Sequence, residues 1–168
     1  MDWKKYEKEI FNEFKLAYPD AKISYNQKLL GKYSKKKRQI DVLIEFTSAQ
    51  EKIKLIVDGK YYNKKVDVKE VESFMSMAKD VEAQQAILIT NKGFSKAAIN
   101  SAYYGSEEIE LDILNFEEFK HFQGRGGIPY AGDHAVYVPA PIGWILDINK
   151  NRNALATFYQ RGLNLIKQ

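Results

Sequence analysis

Two runs, Ile40-Asp41-Val42-Leu43-Ile44 and Leu55-Ile56-Val57-Asp58-Gly59-Lys60, decide how this chain folds. Both are rich in Ile, Val and Leu, the composition of strands packed into a sheet. The first extends over Gln39 to Phe46 and the second over Ile53 to Tyr61, with the polar stretch Thr47 to Lys52 between them. That spacing suits an antiparallel hairpin. Each run also carries charge, and an ionised side chain beside apolar neighbours is costly to bury without a partner. Residues two apart on a strand share a face, so Asp58 and Lys60 project together. In an antiparallel hairpin the start of the first strand lies beside the end of the second, which carries Asp41 towards both.

Working outward, Trp3 to Tyr18 has the period of a helix, with Trp3, Tyr6, Ile10, Phe14 and Ala17 on one apolar arc. Pro19-Asp20 ends it, and a short strand over Lys22 to Gln27 leads into a loop at Gly31. After the hairpin, a helix is expected over Val68 to Lys79, with Val68, Val71, Phe74, Met75 and Ala78 on one face. Ala86 to Thr90 reads as a buried strand. Ser95 is placed to cap a helix reaching about Tyr104, and Glu110 to Leu114 is a further strand. Strands alternating with helices in this order predict an α/β fold, a central mixed β-sheet flanked by helices.

The character changes near residue 120, so residues 1–120 are expected to form the main domain and residues 121–168 a C-terminal appendage of β-hairpin plus helix. Gly124-Arg125-Gly126-Gly127 lacks the Lys-Ser/Thr of a phosphate-binding P-loop and reads as a linker. Ala135 to Val138 and Trp144 to Ile148 are the hairpin strands, and Arg152 to Ile166 the helix. His121 and His134 read as structural or surface residues.

With 168 residues, 45% of them hydrophobic and 13% aromatic, the chain has material for one ordinary core. It has no cysteine, which excludes disulfides and thiolate zinc sites. Met1 to Lys15 holds no continuous apolar run, so neither a signal peptide nor a membrane anchor is expected, and the reading is of a cytoplasmic protein. The net charge of +4 is unevenly spread. Lys35, Lys36, Lys37 and Arg38 form one basic cluster beside Lys32, and Lys64 and Lys65 another beside Lys60, arrangements suited to phosphate contact or, more plainly, to solvated loops.

Hydrolysing a phosphodiester calls for an aligned water, a positive group on the phosphate and hard oxygen ligands for magnesium or manganese. Asp41, Asp58 and Lys60 are such a set. An Asp-x-Lys alone is an ordinary surface ion pair in most proteins; the hairpin order, the apolar context and the flanking helices are what distinguish this one.

The runs Arg38 to Ile44, Val57 to Tyr62, Val66 to Phe74 and Ile87 to Ser95 together resemble the Mrr-like restriction endonucleases of the PD-(D/E)xK nuclease superfamily, over about residues 3 to 115. The resemblance implies a restriction-endonuclease-like fold, a divalent metal and a DNA substrate. It places the first-strand aspartate on Asp41 and the acidic-x-Lys pair on Asp58 and Lys60. Members more often have Glu-Cys-Lys at the second position, where this chain has Asp58-Gly59-Lys60. A glutamate in the family's first helix matches Glu7, which also falls within the helix's apolar arc.

The expectation is therefore a metal-dependent endonuclease using Mg2+ or Mn2+. Asp41 and Asp58 would hold metal, Lys60 would orient the attacking water and stabilise phosphate charge, and Glu7 would assist as a further metal or water contact. A role in restriction or defence against foreign DNA follows from the resemblance alone. Cutting both strands calls for two active sites, which makes a homodimer a candidate assembly. The alternatives are a catalytically silent nucleic-acid-binding module that retains the fold, and a protein-interaction domain.

Overall fold

The computed structural model describes residues 2–18, 21–48, 50–105, 109–116, 126–130, 136–139, 144–146 and 158–160. The chain divides into two compact units, Met1–Phe119 and Lys120–Gln168.

In the first unit, α1 (Trp3–Ala17) precedes β1 (Lys22–Leu30), β2 (Lys37–Ser48) and β3 (Glu51–Lys60). Then come α2 (Val68–Asp80), β4 (Gln85–Thr90), α3 (Lys96–Tyr104) and β5 (Glu110–Asn115). The five strands form one sheet in sequence order. β1, β2 and β3 run antiparallel to their neighbours, while β3, β4 and β5 are parallel. This mixed sheet, with its parallel half joined through α2 and α3, is the α/β arrangement the pattern predicted and the restriction-endonuclease-like architecture the resemblance implied. Among the described residues, no helix is long and apolar enough to cross a membrane.

Both faces of the sheet are covered. Beneath α2 and α3, Val71, Phe74, Ala78, Ala98 and Ala102 pack with Ile56, Leu88 and Ile113. Against the opposite face, α1 sets Tyr6, Ile10 and Phe14, each at most 1% exposed. Full burial of such side chains stabilises by about 1.5–3 kcal/mol apiece. The helices begin where local chemistry satisfies their first N–H groups: Asp2 accepts from Lys5 N, Asp67 from Lys69 N and Ser95 from Ala98 N.

Trp3 departs from the expected arc, being 53% exposed with the Lys4 ammonium 5.3 Å from its ring centroid. A helical wheel gives the direction of a side chain, not whether the sheet extends beneath it. The Ala17 side chain lies outside those described.

The second unit corrects the expected hairpin and helix. Gly126–Tyr130 is strand β6 rather than a linker, and it pairs antiparallel with β7 (Val136–Pro139). Trp144–Leu146 (β8) pairs antiparallel with Phe158–Gln160 (β9), which lies inside the span expected to be helical. Phe158 and Tyr159 favour a pleated surface, and short apolar runs do not separate helix from strand by period alone. The two expected strands thus each pair with another segment, not with one another. His121 and His134 lie outside the described residues.

Candidate active site

The β2–β3 ladder runs from Ser48↔Glu51 to Val42↔Val57 and there it stops. The next position along brings Asp41 opposite Asp58. In place of a backbone carbonyl, the Asp41 carboxylate takes the Gly59 N–H, Oδ2 accepting at 2.9 Å. Across the other edge of β2, Asn26 adopts φ 51° at the step skipped between the pairs Tyr25↔Val42 and Gln27↔Ile40. Asparagine tolerates this left-handed conformation better than most residues. Irregularity on one side and a side-chain substitute for the ladder on the other free Asp41 from regular strand geometry.

Gly59 permits the close approach behind this pair. A Cβ there would meet Ile10 Cδ1 at 2.8 Å and Tyr6 Cε1 at 3.3 Å, so α1 seats directly on the strand that carries Asp58 and Lys60. Tyr6 packs further against Phe116, with ring centroids 4.6 Å apart, and Tyr61 at 5.3 Å.

Lys60 Nζ stands 2.5 Å from Asp58 Oδ2. This is an ion pair without hydrogen-bond angles, since Oδ2 is buried and has no hydrogen-bond partner among the described residues. Burial pulls the Lys60 ammonium down, but the adjacent Asp58 carboxylate outweighs it and leaves the group above its ordinary value, hence charged. Burial and then the Asp58 charge push Asp41 up to about 7. Two desolvated carboxylates this close repel one another, which a cation between them would relieve.

Glu7 reaches the same region from α1. Burial, then the Asp58 charge, raise its carboxyl above the usual range, opposed by a hydrogen bond from Tyr25 Oη at 3.4 Å. Among the described residues, no three carboxylates or imidazoles stand together in metal-holding range, so Glu7 does not join Asp41 and Asp58 as a third direct ligand in this conformation. The donor set present is the aspartate pair. It fits magnesium or manganese, which commonly bind through one or two carboxylates and keep several waters.

These side chains open into a cleft of about 510 Å³ between the β2–β3 hairpin and α2. Gln39, Lys69, Glu70 and Ser73 line it beside Asp41, Asp58 and Lys60. The sequence reading missed these four. Gln39 sits two residues before Asp41, and Lys69 and Ser73 are one helical turn apart, but those spacings acquire meaning only once α2 is placed alongside.

The expected basic residues divide. Lys35, Lys36 and Lys37 are exposed in and beside the β1–β2 loop, and Lys64 and Lys65 are exposed after β3. Arg38 instead donates from Nε to Asp80 Oδ2 at 2.7 Å, and Lys32 pairs with Glu82 at 2.5 Å. Asp80, also missed, is 4% exposed. Its signal was an acid in the last turn of a helix, where the helix dipole disfavours it and a partner is needed.

The restriction endonuclease family model of the Mrr catalytic type matches residues 20–122. The chain belongs to this family. As an Mrr-type domain it is also similar in structure to AF1548, a solved protein of unknown function, at a TM-score of 0.53 and 19% identity, over 67% of this chain and 58% of that one. It is similar too to the DNA modification-dependent restriction endonuclease AspBHI, at a TM-score of 0.48 and 16% identity, over 68% of this chain and 29% of that one. The same holds for the MspJI restriction endonuclease solved with a 27-mer oligonucleotide, at 0.45 and 12%, over 69% and 26%. The Mrr-type chain thus spans little more than half of the first of these and under a third of the other two. No curated protein matches it in sequence.

Proposed function

We propose that this Mrr-type domain is an endonuclease hydrolysing DNA phosphodiester bonds with Mg2+ or Mn2+, acting in restriction or defence against foreign DNA. The observation that supports it best is the end of the β2–β3 ladder. There Asp41 and Asp58 face one another, Lys60 accompanies them, and all three open onto one cleft.

Asp41 and Asp58 would hold the metal, which when bound supplies a Lewis acid and an activated water. The chain's own contribution is positional. The Gly59 N–H fixes the Asp41 carboxylate, so its orientation does not have to be found at the moment of reaction. Lys60, charged and 28% exposed at its side chain, presents its ammonium to the cleft, where a phosphate would gain a counter-charge. Glu7, close enough for its carboxyl to feel the Asp58 charge, would assist as a further water contact. Lys35, Lys36, Lys37, Lys64 and Lys65 would take the substrate backbone. Residues 1–120 would contain the whole catalytic machinery, with residues 121–168 an appendage. Two copies would serve a double-strand cut.

The deciding test is nicking of a supercoiled plasmid with magnesium or manganese, wild type beside Lys60→Ala. Metal-dependent nicking lost in the variant supports the reading. Binding without nicking under either metal would favour the second reading, a silent nucleic-acid-binding module, for which the short Asp58 carboxylate and its close ion pair with Lys60 speak.

A further inference from the structure

The β1–β2 loop is tied to the end of α2 by several hydrogen bonds. Asp80, at the end of α2, accepts from Tyr33 N at 2.9 Å, Ser34 N at 3.0 Å, Ser34 Oγ at 2.5 Å and Arg38 Nε at 2.7 Å. Its own carbonyl accepts from Lys32 N at 2.7 Å. A Cβ on Gly31 would meet Asp80 Oδ2 at 2.3 Å and Ser34 Oγ at 2.5 Å, so any larger residue would have to displace the carboxylate or the hydroxyl bonded to it. Hydrogen bonds from Ser34, side chain and backbone, and from Arg38 hold the Asp80 carboxyl well below the usual carboxylate range. Lys35 turns at φ 55°.

What this knot displays is an aromatic among cations. Tyr33 is 65% exposed, with the Lys32 ammonium 5.7 Å from its ring centroid. Lys35, Lys36 and Lys37 are exposed beside it, and none enters an ion pair among the described residues. A loop tied down by hydrogen bonds, an unburied ring and three lysines without ion pairs suit a polyanion whose sugars and base edges can pack on the ring. The loop also lies in line with the cleft: Lys37 is four residues before Asp41 on β2, on the order of 13 Å, or about four base-pair rises. α2 borders the cleft through Lys69 and Met77 and then ends in Asp80.

We infer that the Gly31–Lys37 loop is a preorganised grip for duplex DNA, with Tyr33 packing on a sugar or base edge to one side of the bond cut and Asp80 as the positioning residue that holds the loop in shape. This rests on the nuclease reading above, and it assigns roles to two residues, Tyr33 and Asp80, that sit outside the reacting centre. Lys35, Lys36 and Lys37 supply the non-specific charge, Tyr33 a contact that salt does not screen.

The test is anisotropy of a labelled DNA duplex with the full chain in EDTA, across a salt series. Tyr33→Ala should weaken binding fivefold or more with the salt slope unchanged, and Tyr33→Phe should bind like wild type. Asp80→Asn gives the sharper sign. It removes a negative charge beside the lysines, so simple electrostatics would tighten binding, whereas loss of the frame weakens it. Ser34→Ala, which keeps the Asp80 charge and its Arg38 partner, should weaken binding in the same direction and carries the test if Asp80→Asn does not fold. Unchanged affinity in Tyr33→Ala, or tighter binding in Asp80→Asn, would overturn the inference. If wild type nicks plasmid while Tyr33→Ala binds normally, the grip alone is wrong. A wild type that neither binds duplex nor nicks plasmid overturns the nuclease reading with it.

Discussion

Asp41→Asn separates the cost of the aspartate pair from its use. In the metal-free protein Asp41 is 8% exposed and its carboxyl is pushed from 3.8 to about 7 by burial and the Asp58 charge. A raised carboxyl binds its proton more tightly folded than unfolded. Stability is therefore highest below the unfolded value, falls as pH rises through the interval between the two, and stays low above about 7. A shift of this size corresponds to about 4 kcal/mol over the whole window. Asparagine keeps an oxygen for the Gly59 N–H and cannot ionise. In EDTA at pH 8 the variant should therefore exceed wild type by a few kcal/mol, roughly 10 °C in melting temperature for a chain of this size. At pH 4 the two should nearly coincide. Magnesium at a hundredfold over its dissociation constant should return about 2.7 kcal/mol to wild type and much less to the variant. Urea unfolding at both pH values, with and without magnesium, reads all four corners. A variant no more stable than wild type at pH 8, or equally shifted at both pH values, would refute the desolvated-pair reasoning.

Gly59→Ala should lower the melting temperature, because its Cβ would stand 2.8 Å from Ile10 Cδ1 in a packed interior, at a cost of about 1–3 kcal/mol. Thermal melts of the double variant with Ile10→Val should show recovery, since that change removes the obstructing methyl. Replacing Lys35, Lys36 and Lys37 with glutamine should reduce the slope of log affinity against log salt by about 2.7, read by anisotropy on a DNA duplex, while an unchanged slope would make the cluster a solvated loop. A chain ending at Lys120 should keep metal-dependent nicking in its folded fraction, as every proposed catalytic residue precedes Tyr61; a truncated chain that folds and binds DNA yet cuts nothing would place a catalytic element in residues 121–168.

Local pattern carried much of the architecture. The apolar runs around Asp41 and Asp58, the 3.6-residue periods of α1 and α2 and the Ser95 cap are properties of near neighbours in the chain. They are legible without knowing what lies across from them. The facing of Asp41 and Asp58 also follows from the hairpin, because an antiparallel pair with a short connection leaves little freedom of register. The reading failed in the second unit because β6 and β9 are runs of five and three residues, too short for period to separate strand from linker or helix.

What only the tertiary structure decided are contacts between residues distant in sequence. Gly59 reads as an ordinary strand glycine until Ile10 and Tyr6 are seen pressed against it. Arg38 reads as one more phosphate ligand until Asp80, 42 residues on, takes its guanidinium. Trp3 and Tyr6 share a wheel face, yet one is open to solvent and the other fully buried. Composition and spacing specify which groups are present and which way they point along the chain. Desolvation, close approach and charge pairing depend on distances through space, and these exist only once the sheet and its helices have closed around them.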